Sequence, residues 1–139
     1  MSPAEARQLC GLLFQAHGRL RRQLDDELGT QHGLSLADHA LLQALAPHAQ
    51  GLSTQALAQS LDLPASAVVR QAIALEKTGW LERLAGPGER RLRLRAPGHG
   101  LLREASDTLT SICHAALQAE PAPDDSWLHA LAGRAAWAP

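Results

Sequence analysis

Residues 52–95 read LSTQALAQSLDLPASAVVRQAIALEKTGWLERLAGPGERRLRLR, and this stretch decides the fold. We predict a short capped helix over 52–61, a tight turn at 62–64, and a second helix over 64–78 that Gly79 ends. Two helices joined by so few residues are typical of a helix-turn-helix, whose second helix can enter the DNA major groove.

The residues that follow predict a β-hairpin, with strands at 80–84 and 91–95 and a turn at 85–89. Arginine and leucine alternate through the second strand, so its leucines are expected in the core and its arginines on the outside. A hairpin with an arginine face beside a helix-turn-helix is a wing. Phosphates on either side of a DNA groove are its expected partners.

Four segments, taken together, are similar in order and spacing to the MarR family of bacterial transcriptional regulators. They are STQALA at 53–58, LEKTGWLER at 75–83, Arg90, and PGHG at 97–100. The flanking helical segments also fall where that family has its dimerisation helices, so the resemblance covers nearly the full chain. The chain departs from the family pattern at the wing, where Asp-x-Arg is replaced by Gly-Glu-Arg. It departs again before the fifth helix, where Leu-Thr is replaced by Ala-Pro.

The resemblance implies a mainly α fold with a small β-hairpin wing in a single domain spanning 1–139. A winged helix-turn-helix DNA-binding core would occupy 35–97, and dimerisation helices would occupy 1–34 and 98–139. It also implies a homodimeric repressor that binds a pseudo-palindromic duplex. A small effector, often an aromatic or phenolic acid, would bind between the core and the dimerisation helices and release the DNA. Arg90 would take the place of the wing arginine that reaches into the minor groove.

The bulk composition fits one globular domain. The chain has 139 residues, of which 45% are hydrophobic, and it lacks an apolar run long enough for a membrane span. The first residues do not form a secretion signal, and two distant cysteines do not make a disulfide framework. We therefore expect a cytoplasmic protein with reduced thiols.

The net charge of −1 at first argues against a nucleic-acid binder, but the charges are unevenly distributed. Residues 53–95 carry seven basic and four acidic side chains, whereas 1–52 carry four and five, and 96–139 carry two and five. A basic segment between acidic ones is expected where one face meets DNA.

The terminal segments predict long amphipathic helices. The first runs over 4–28 and ends at Gly29, and a second begins at a Ser35 or Asp38 cap and runs to about residue 46. Another opens at 97–98, 120–123 break it, and 124–126 begin a last helix whose apolar side carries Trp127, Leu128, Leu131 and Ala135. Such long apolar stripes need a second surface. We expect a second copy of the chain to supply it, although folding back as a monomer is the alternative.

Eight residues are candidates for DNA contact, and each also has a purely structural interpretation. Arginine can read guanine, glutamine can read adenine, and serine can reach a base or a phosphate, but all three are also ordinary solvated residues. Residues at a helix start can bind phosphate or only cap the helix. Wing arginines can bind DNA or only confer solubility. The candidates are Ser66, Arg70 and Gln71 on the second helix, Ser53 and Thr54 at the start of the first, and Arg90, Arg91 and Arg93 in the wing.

Other chemistry has weaker support. The seven histidines are scattered, without the short-range pairs of a zinc site, and motifs of common enzymes are not visible, so we expect neither enzyme activity nor a cofactor. A thiol-redox or metal-responsive regulator on the same scaffold, or a winged helix used for protein contact, are the alternatives. Redox candidates are Cys10 and Cys113, and effector-binding candidates on the first two helices are His17, Arg21 and His39.

Overall fold

The computed structural model describes residues 1–86, 88, 90–118 and 124–133. These residues form a mainly helical fold with one small sheet, as the sequence predicts. In chain order the elements are α1 (Pro3–His32), α2 (Leu36–Leu45), β1 (Leu52–Ser53), α3 (Thr54–Leu61), α4 (Ala65–Lys77), β2 (Leu81–Leu84), β3 (Arg91–Leu94), α5 (Ala96–Ala116) and α6 (Ser126–Ala132).

Helix α1 is longer than the sequence predicts. It begins at a capping box in which Ser2 and Glu5 satisfy each other's backbone N–H groups. The predicted end at Gly29 is wrong, because the helix continues through that residue to Gly33, whose φ of 68° is the left-handed conformation that terminates helices. A glycine inside a helix costs only about 1 kcal/mol, and the complete burial of Leu28 beside it outweighs that penalty.

The helix-turn-helix follows the prediction closely. The Ser35 hydroxyl and the Asp38 carboxylate cap α2 reciprocally, and the Ser53 hydroxyl accepts from the backbone N–H of Ala56 at the start of α3. A turn of three residues then leads into α4. The second helix therefore lies where a recognition helix is expected, and we use that name for α4 from here on.

The sheet has a third strand that the sequence analysis missed. Its order is β1-β3-β2 and all pairs are antiparallel, with Leu52 opposite Leu92 in the first pair and Leu81 opposite Leu94 in the second. Leu52 and Ser53 thus belong to a strand and not to the predicted helix, which starts at Thr54. Two residues are too short to show the alternation that identifies a strand in sequence.

A single hydrophobic core joins all the helices from α1 to α5 with the sheet. Leu92 and Leu94 of β3 are buried, which confirms the predicted inward face of that strand. Fully buried leucines from α1, α2 and α3 meet them; they are Leu28, Leu41, Leu42, Leu45 and Leu57. The C-terminal half of α1 packs on α5, so the core fixes the long helices relative to the head, by which we mean residues 35–97.

Two hydrogen bonds also connect α5 with the end of α1 and with α2. The His39 ring lies 3.0 Å from the Ser106 hydroxyl, and the His32 ring lies 2.7 Å from the Thr108 hydroxyl. Gly98 allows the close approach of α5 to Trp80, the residue before β2, because a Cβ atom there would collide with the Trp80 carbonyl oxygen.

The C-terminal helix starts at Ser126 as predicted, and Trp127, Leu128 and Leu131 lie on it with exposed side chains. The predicted break at 120–123 and the predicted apolar position Ala135 lie outside the described residues. Within the part of the chain that the structure describes, none of the helices has the length and apolar character needed to cross a membrane.

Candidate nucleic-acid interface

The recognition helix presents a narrow exposed stripe on the side opposite the core. Its buried residues are Val68, Ala72 and Leu75, as the sequence predicts. At about 100° per residue, the opposite side carries four residues within an arc of about 60°. We call them the recognition stripe; they are Ser66, Arg70, Ile73 and Lys77, and all four are exposed.

Arg70 lies near the middle of this stripe with its guanidinium available. Among the described residues, its side chain has neither a hydrogen-bond partner nor an ion-pair partner. A guanidinium carries five N–H donors in a planar fork, which matches the O6 and N7 acceptors of guanine. The geometry therefore leaves Arg70 free to bind a planar acceptor pair in front of α4.

Gln71 does not share this face. It is half-buried on the flank that meets α2, and its amide nitrogen donates to the Asp38 carboxylate at 3.2 Å. Asp38 also caps α2, so the hydrogen bond links the two helices. The structure thus separates Gln71 from Ser66 and Arg70, with which the sequence analysis grouped it.

A small cavity of about 300 Å³ lies where the start of α3, the first turn of α4 and the wing converge. The backbone N–H of Thr54 donates to the Arg90 carbonyl at 3.0 Å, which joins the wing to the start of α3. The structure therefore brings together three of the predicted DNA-contact residues, Ser53, Thr54 and Arg90. The full lining is Ser53, Thr54, Gln55, Ala65, Val69 and Arg90.

The cavity is suited to an anion. The first turn of a helix has backbone N–H groups that lack helical partners and carries the positive end of the helix dipole. Arg90 is exposed, and its side chain has no partner among the described residues. A helix N-terminus and a guanidinium on the same cavity are the groups that hold a phosphate.

The other wing arginines are held by the protein itself. Arg91 donates to the Gly51 carbonyl at 2.9 Å, and Arg93 forms an ion pair with Glu82 on the neighbouring strand. Arg83 makes a two-pronged ion pair with Glu76 at 2.7 and 3.0 Å, which links β2 to the recognition helix. The Arg83 guanidinium holds the pKa of the Glu76 carboxyl below its ordinary value.

These pairs decide which charges remain for a ligand. Arg83 and Arg93 are neutralised by carboxylates, whereas Arg70, Lys77 and Arg90 have no carboxylate partner among the described residues. Ala65 and Val69 lie on α4 beside the recognition stripe, and both line the cavity together with Arg90. The cations thus lie along one face formed by α4 and the wing.

The three predicted effector residues are not on a common surface. His17 and Arg21 are exposed on successive turns of α1, and Arg21 lies 3.7 Å from Asp25. His39 is only 3% exposed, and burial lowers the pKa of its imidazole. The packing of α2 against α5 encloses His39, so it does not open onto the surface that His17 and Arg21 share.

The predicted redox residues lie on different helices. Cys10 is exposed on α1, and Cys113 is half-buried on α5 against the core. Within residues 1–86, 88, 90–118 and 124–133, the structure contains no group of three or more histidine, cysteine or acidic side chains placed to share a metal ion.

The N-terminal half of α1 leaves a broad apolar surface exposed. Phe14 is 80% exposed and Leu12 is 54% exposed, and both line an open groove of about 1160 Å³ that extends to Leu117 at the end of α5. On α6, Leu131 is 69% exposed. Apolar side chains of this size are therefore exposed at both ends of the chain, away from the helix-turn-helix.

Sequence reasoning missed Ile73 in the recognition stripe and the contact of Asp38 with Gln71 on the flank of α4. Ile73 was not singled out, since an isoleucine on a helix is ordinarily assigned to the core, yet it is 37% exposed in the recognition stripe. Its position three residues after Arg70 and seven after Ser66 is the signal that places it on their side of the helix. Asp38 was identified only as a cap, and a contact 33 residues away in sequence with Gln71 has no local signature.

Known proteins resemble the chain in part of its sequence and, over most of its length, in its fold. The family model of the IclR helix-turn-helix domain matches residues 39–85, about a third of the chain. Curated protein sequences gave no match. Solved structures give much broader similarity, although their sequence identities are low.

One similar structure is a MarR-family transcriptional regulator from Rhodococcus sp. RHA1, with a TM-score of 0.82, 20% identity, and coverage of 95% of this chain and 97% of that one. A second is Sco3205, a MarR-family transcriptional regulator from Streptomyces coelicolor in complex with DNA, with a TM-score of 0.81, 22% identity, and coverage of 94% and 86%. A third is CouR from Rhodococcus jostii RHA1 bound to p-coumaroyl-CoA, with a TM-score of 0.78, 18% identity, and coverage of 94% and 90%.

These similarities extend over the long terminal helices as well as the head, because each covers more than nine-tenths of the chain. The resemblance found in the sequence is thereby confirmed at the level of the fold. The chain has the winged helix-turn-helix fold of the MarR-family transcriptional regulators.

Proposed function

We propose that this protein is a sequence-specific, double-stranded DNA-binding transcriptional regulator. The observation that carries the proposal is the single face on which the recognition stripe, the start of α3 and Arg90 lie together. A helix of this diameter fits the major groove, and the surrounding cations suit the phosphates on its rims. The structure of Sco3205 with DNA supports the same use of a similar fold.

In this proposal, some residues of the face contact DNA bases and others contact phosphates. Arg70 and Ser66 read base edges in the major groove, while the start of α3 binds a phosphate. Arg90 extends from the wing to the DNA phosphate backbone or into the adjacent minor groove. Arg91 and Arg93 mainly hold the wing in place, since their guanidinium groups already donate to Gly51 and Glu82.

We also propose that the protein acts as a homodimer. The exposed apolar side chains of α1, α5 and α6 would pair with those of a second copy across a two-fold axis. The two recognition helices would then enter successive major grooves about 34–36 Å apart, so the operator would be pseudo-palindromic. Pairing doubles the number of cations that contact DNA, which offsets the modest charge of one head.

A small-molecule effector is the proposed control, with repression as the resting state. The complex of CouR with p-coumaroyl-CoA supports an aromatic acid or its thioester as the ligand class. An effector releases DNA only if it binds more tightly to a dimer whose heads are wrongly spaced for the operator. A thermal-shift screen of aromatic acids and their coenzyme A thioesters, with and without operator DNA, tests this part.

An electrophoretic mobility shift with the duplex upstream of the protein's own gene tests DNA binding. We expect a discrete complex whose affinity falls on the order of a thousand-fold between about 50 mM and about 200 mM salt, as several phosphate contacts require. A complex that competes equally with unrelated duplex would contradict sequence specificity. The lack of any complex at low salt would contradict DNA binding and favour a winged helix used for protein contact.

A further inference from the structure

We propose that Ile73 is a specificity-determining residue that reads the 5-methyl group of a thymine next to the base contacted by Arg70. The inference rests on the proposed DNA-binding function and names a readout within that same face. Ile73 is the one apolar residue of the recognition stripe, and the base and phosphate contacts proposed above give it no role.

The position of Ile73 on α4 is the first argument. The residues of α4 that pack inward are Val68, Ala72 and Leu75, and Ile73 lies on the other side of the helix. It lies between Arg70 and Lys77 in the recognition stripe, with 37% of its surface exposed. Any duplex that Arg70 contacts through the major groove therefore also meets Ile73.

The contrast with the rest of the head is the second argument. Of the large apolar side chains in the described part of the head, only Leu63 and Ile73 are exposed, and Leu63 lies in the turn before α4. The other large exposed apolar side chains of the described chain are Met1, residues of α1 and α6, and Leu117 directly after α5. Ile73 is thus separated from the surface assigned to dimerisation and has polar neighbours along its own stripe.

The chemistry of the groove is the third argument. Thymine is the one base that presents a methyl group to the major groove, and an aliphatic side chain is its complement. Three residues along a helix advance about 4.5 Å, which is close to one base-pair step of about 3.4 Å. Arg70 on a guanine therefore places Ile73 at a neighbouring pair, where its branched side chain excludes water from the methyl group.

The test uses duplexes in which single thymines are replaced by deoxyuridine, which lacks only the methyl group. An operator is first selected from random duplexes with the unmodified protein, and each thymine in a half-site is then replaced in turn. We expect one position to lose about four-fold in affinity, the value of one buried methyl group. With Ile73→Ala, the same replacement should change affinity by less than about two-fold.

Leu63→Ala is the matched control, because it truncates the other exposed apolar side chain of the head, off the recognition stripe. It should retain the full deoxyuridine effect. Thermal unfolding checks that both variants are folded. The deoxyuridine series with the unmodified protein tests the inference even if a variant does not fold. If tight, specific binding were insensitive to every deoxyuridine, or Ile73→Ala retained the effect, the inference would be overturned while the proposed function stood. Failure to select any operator would overturn the proposed function itself.

Discussion

At the scale of single residues, the arginines of the head separate into two groups. Arg83 and Arg93 are paired with carboxylates, and their role is to join β2 to α4 and to β3. Arg70 and Arg90 lack such partners among the described residues and face the side where DNA is proposed to bind. Arginines that cannot be told apart in the sequence are therefore separated in the structure into those that hold elements together and those available for DNA.

Replacing Arg70 with alanine should remove base readout. We expect Arg70→Ala to weaken binding to the cognate operator by about 1–3 kcal/mol and to reduce the preference for it over a scrambled duplex. Fluorescence-anisotropy titrations with both duplexes measure the two effects. Arg103→Ala, an exposed arginine on α5, is the control and should bind like the parent. Unchanged discrimination in Arg70→Ala would refute its assigned role.

Replacing Arg90 with alanine should act on phosphate binding. We expect Arg90→Ala to weaken cognate and scrambled duplexes by similar factors, and to lower the slope of log affinity against log salt by about one per subunit. Titrations over a series of salt concentrations give that slope. An unaltered slope, or a loss confined to the cognate duplex, would place Arg90 away from the DNA backbone.

His39 should make the stability of the protein dependent on pH. Its burial lowers the pKa of the ring in the folded state, so the unfolded chain binds the proton more readily. Stability should therefore be retained above the unfolded value of about 6.5 and should fall as the pH drops below it. His39→Gln keeps a group able to hydrogen-bond Ser106 but does not titrate.

The measurement for His39 is thermal unfolding of both proteins between about pH 7.5 and about pH 5, a range spanning the unfolded histidine pKa. We expect the melting temperature of the parent to fall more steeply with acidification than that of His39→Gln. Parallel curves would show that the His39 ring does not contribute to the acid sensitivity.

At the scale of elements, the approach of α5 to the residue before β2 and to the end of β3 depends on Gly98. A methyl group there would meet the Trp80 carbonyl oxygen and the Leu94 side chain, whereas at Gly100, on the same helix, nothing lies within 4 Å. We expect Gly98→Ala to destabilise the fold by about 1–3 kcal/mol, as overpacking does. Gly100→Ala should be neutral or stabilise by up to about 1 kcal/mol. Urea unfolding of the two variants measures both, and equal stabilities would contradict the close packing.

The elements also show what can be predicted from a sequence of this kind. The helix-turn-helix and the inward leucines of β3 were predictable, because their periodicity and capping residues act locally and agree with one another. The end of α1 was misplaced at Gly29 because the buried Leu28 side chain, a tertiary effect, carries the helix onward to Gly33. Strand β1 was missed because its pairing with β3 joins residues about 40 positions apart.

The candidate site was less predictable than the fold. The side of α4 that faces outward follows from helical periodicity, so Ser66 and Arg70 were identified from sequence. The bond from Gln71 to Asp38 and the ion pair between Arg93 and Glu82 depend on how elements pack. The sequence cannot show which polar side chains the protein itself has engaged.

At the scale of the whole molecule, the terminal helices leave large apolar side chains exposed, and a second copy of the chain is proposed to cover them. We expect sedimentation equilibrium to give a dimer, and Phe14→Asp to shift it toward monomer, because a carboxylate would be buried in the interface. Phe14 is 80% exposed in one subunit, so the fold should survive the change. Gln8→Asp, a polar-to-acidic change on the same half of α1, should remain dimeric. A monomeric parent would contradict the proposed assembly.

The proposed regulation requires the dimer to connect the two heads rigidly. The core joins the C-terminal half of α1 and α5 to each head, and the hydrogen bonds from His32 and His39 to α5 strengthen that connection. A ligand that alters how the long helices pair would therefore change the separation of the recognition helices. The spacing of the two DNA contacts is the property on which the whole account depends.

Hydroxyl-radical footprinting on the duplex upstream of the protein's own gene tests that property most directly. We expect two protected stretches on one face of the duplex, centred about 10 base pairs apart, that disappear with Arg70→Ala at concentrations where the parent is bound. A single protected stretch, or a pattern that Arg70→Ala leaves unchanged, would contradict the account.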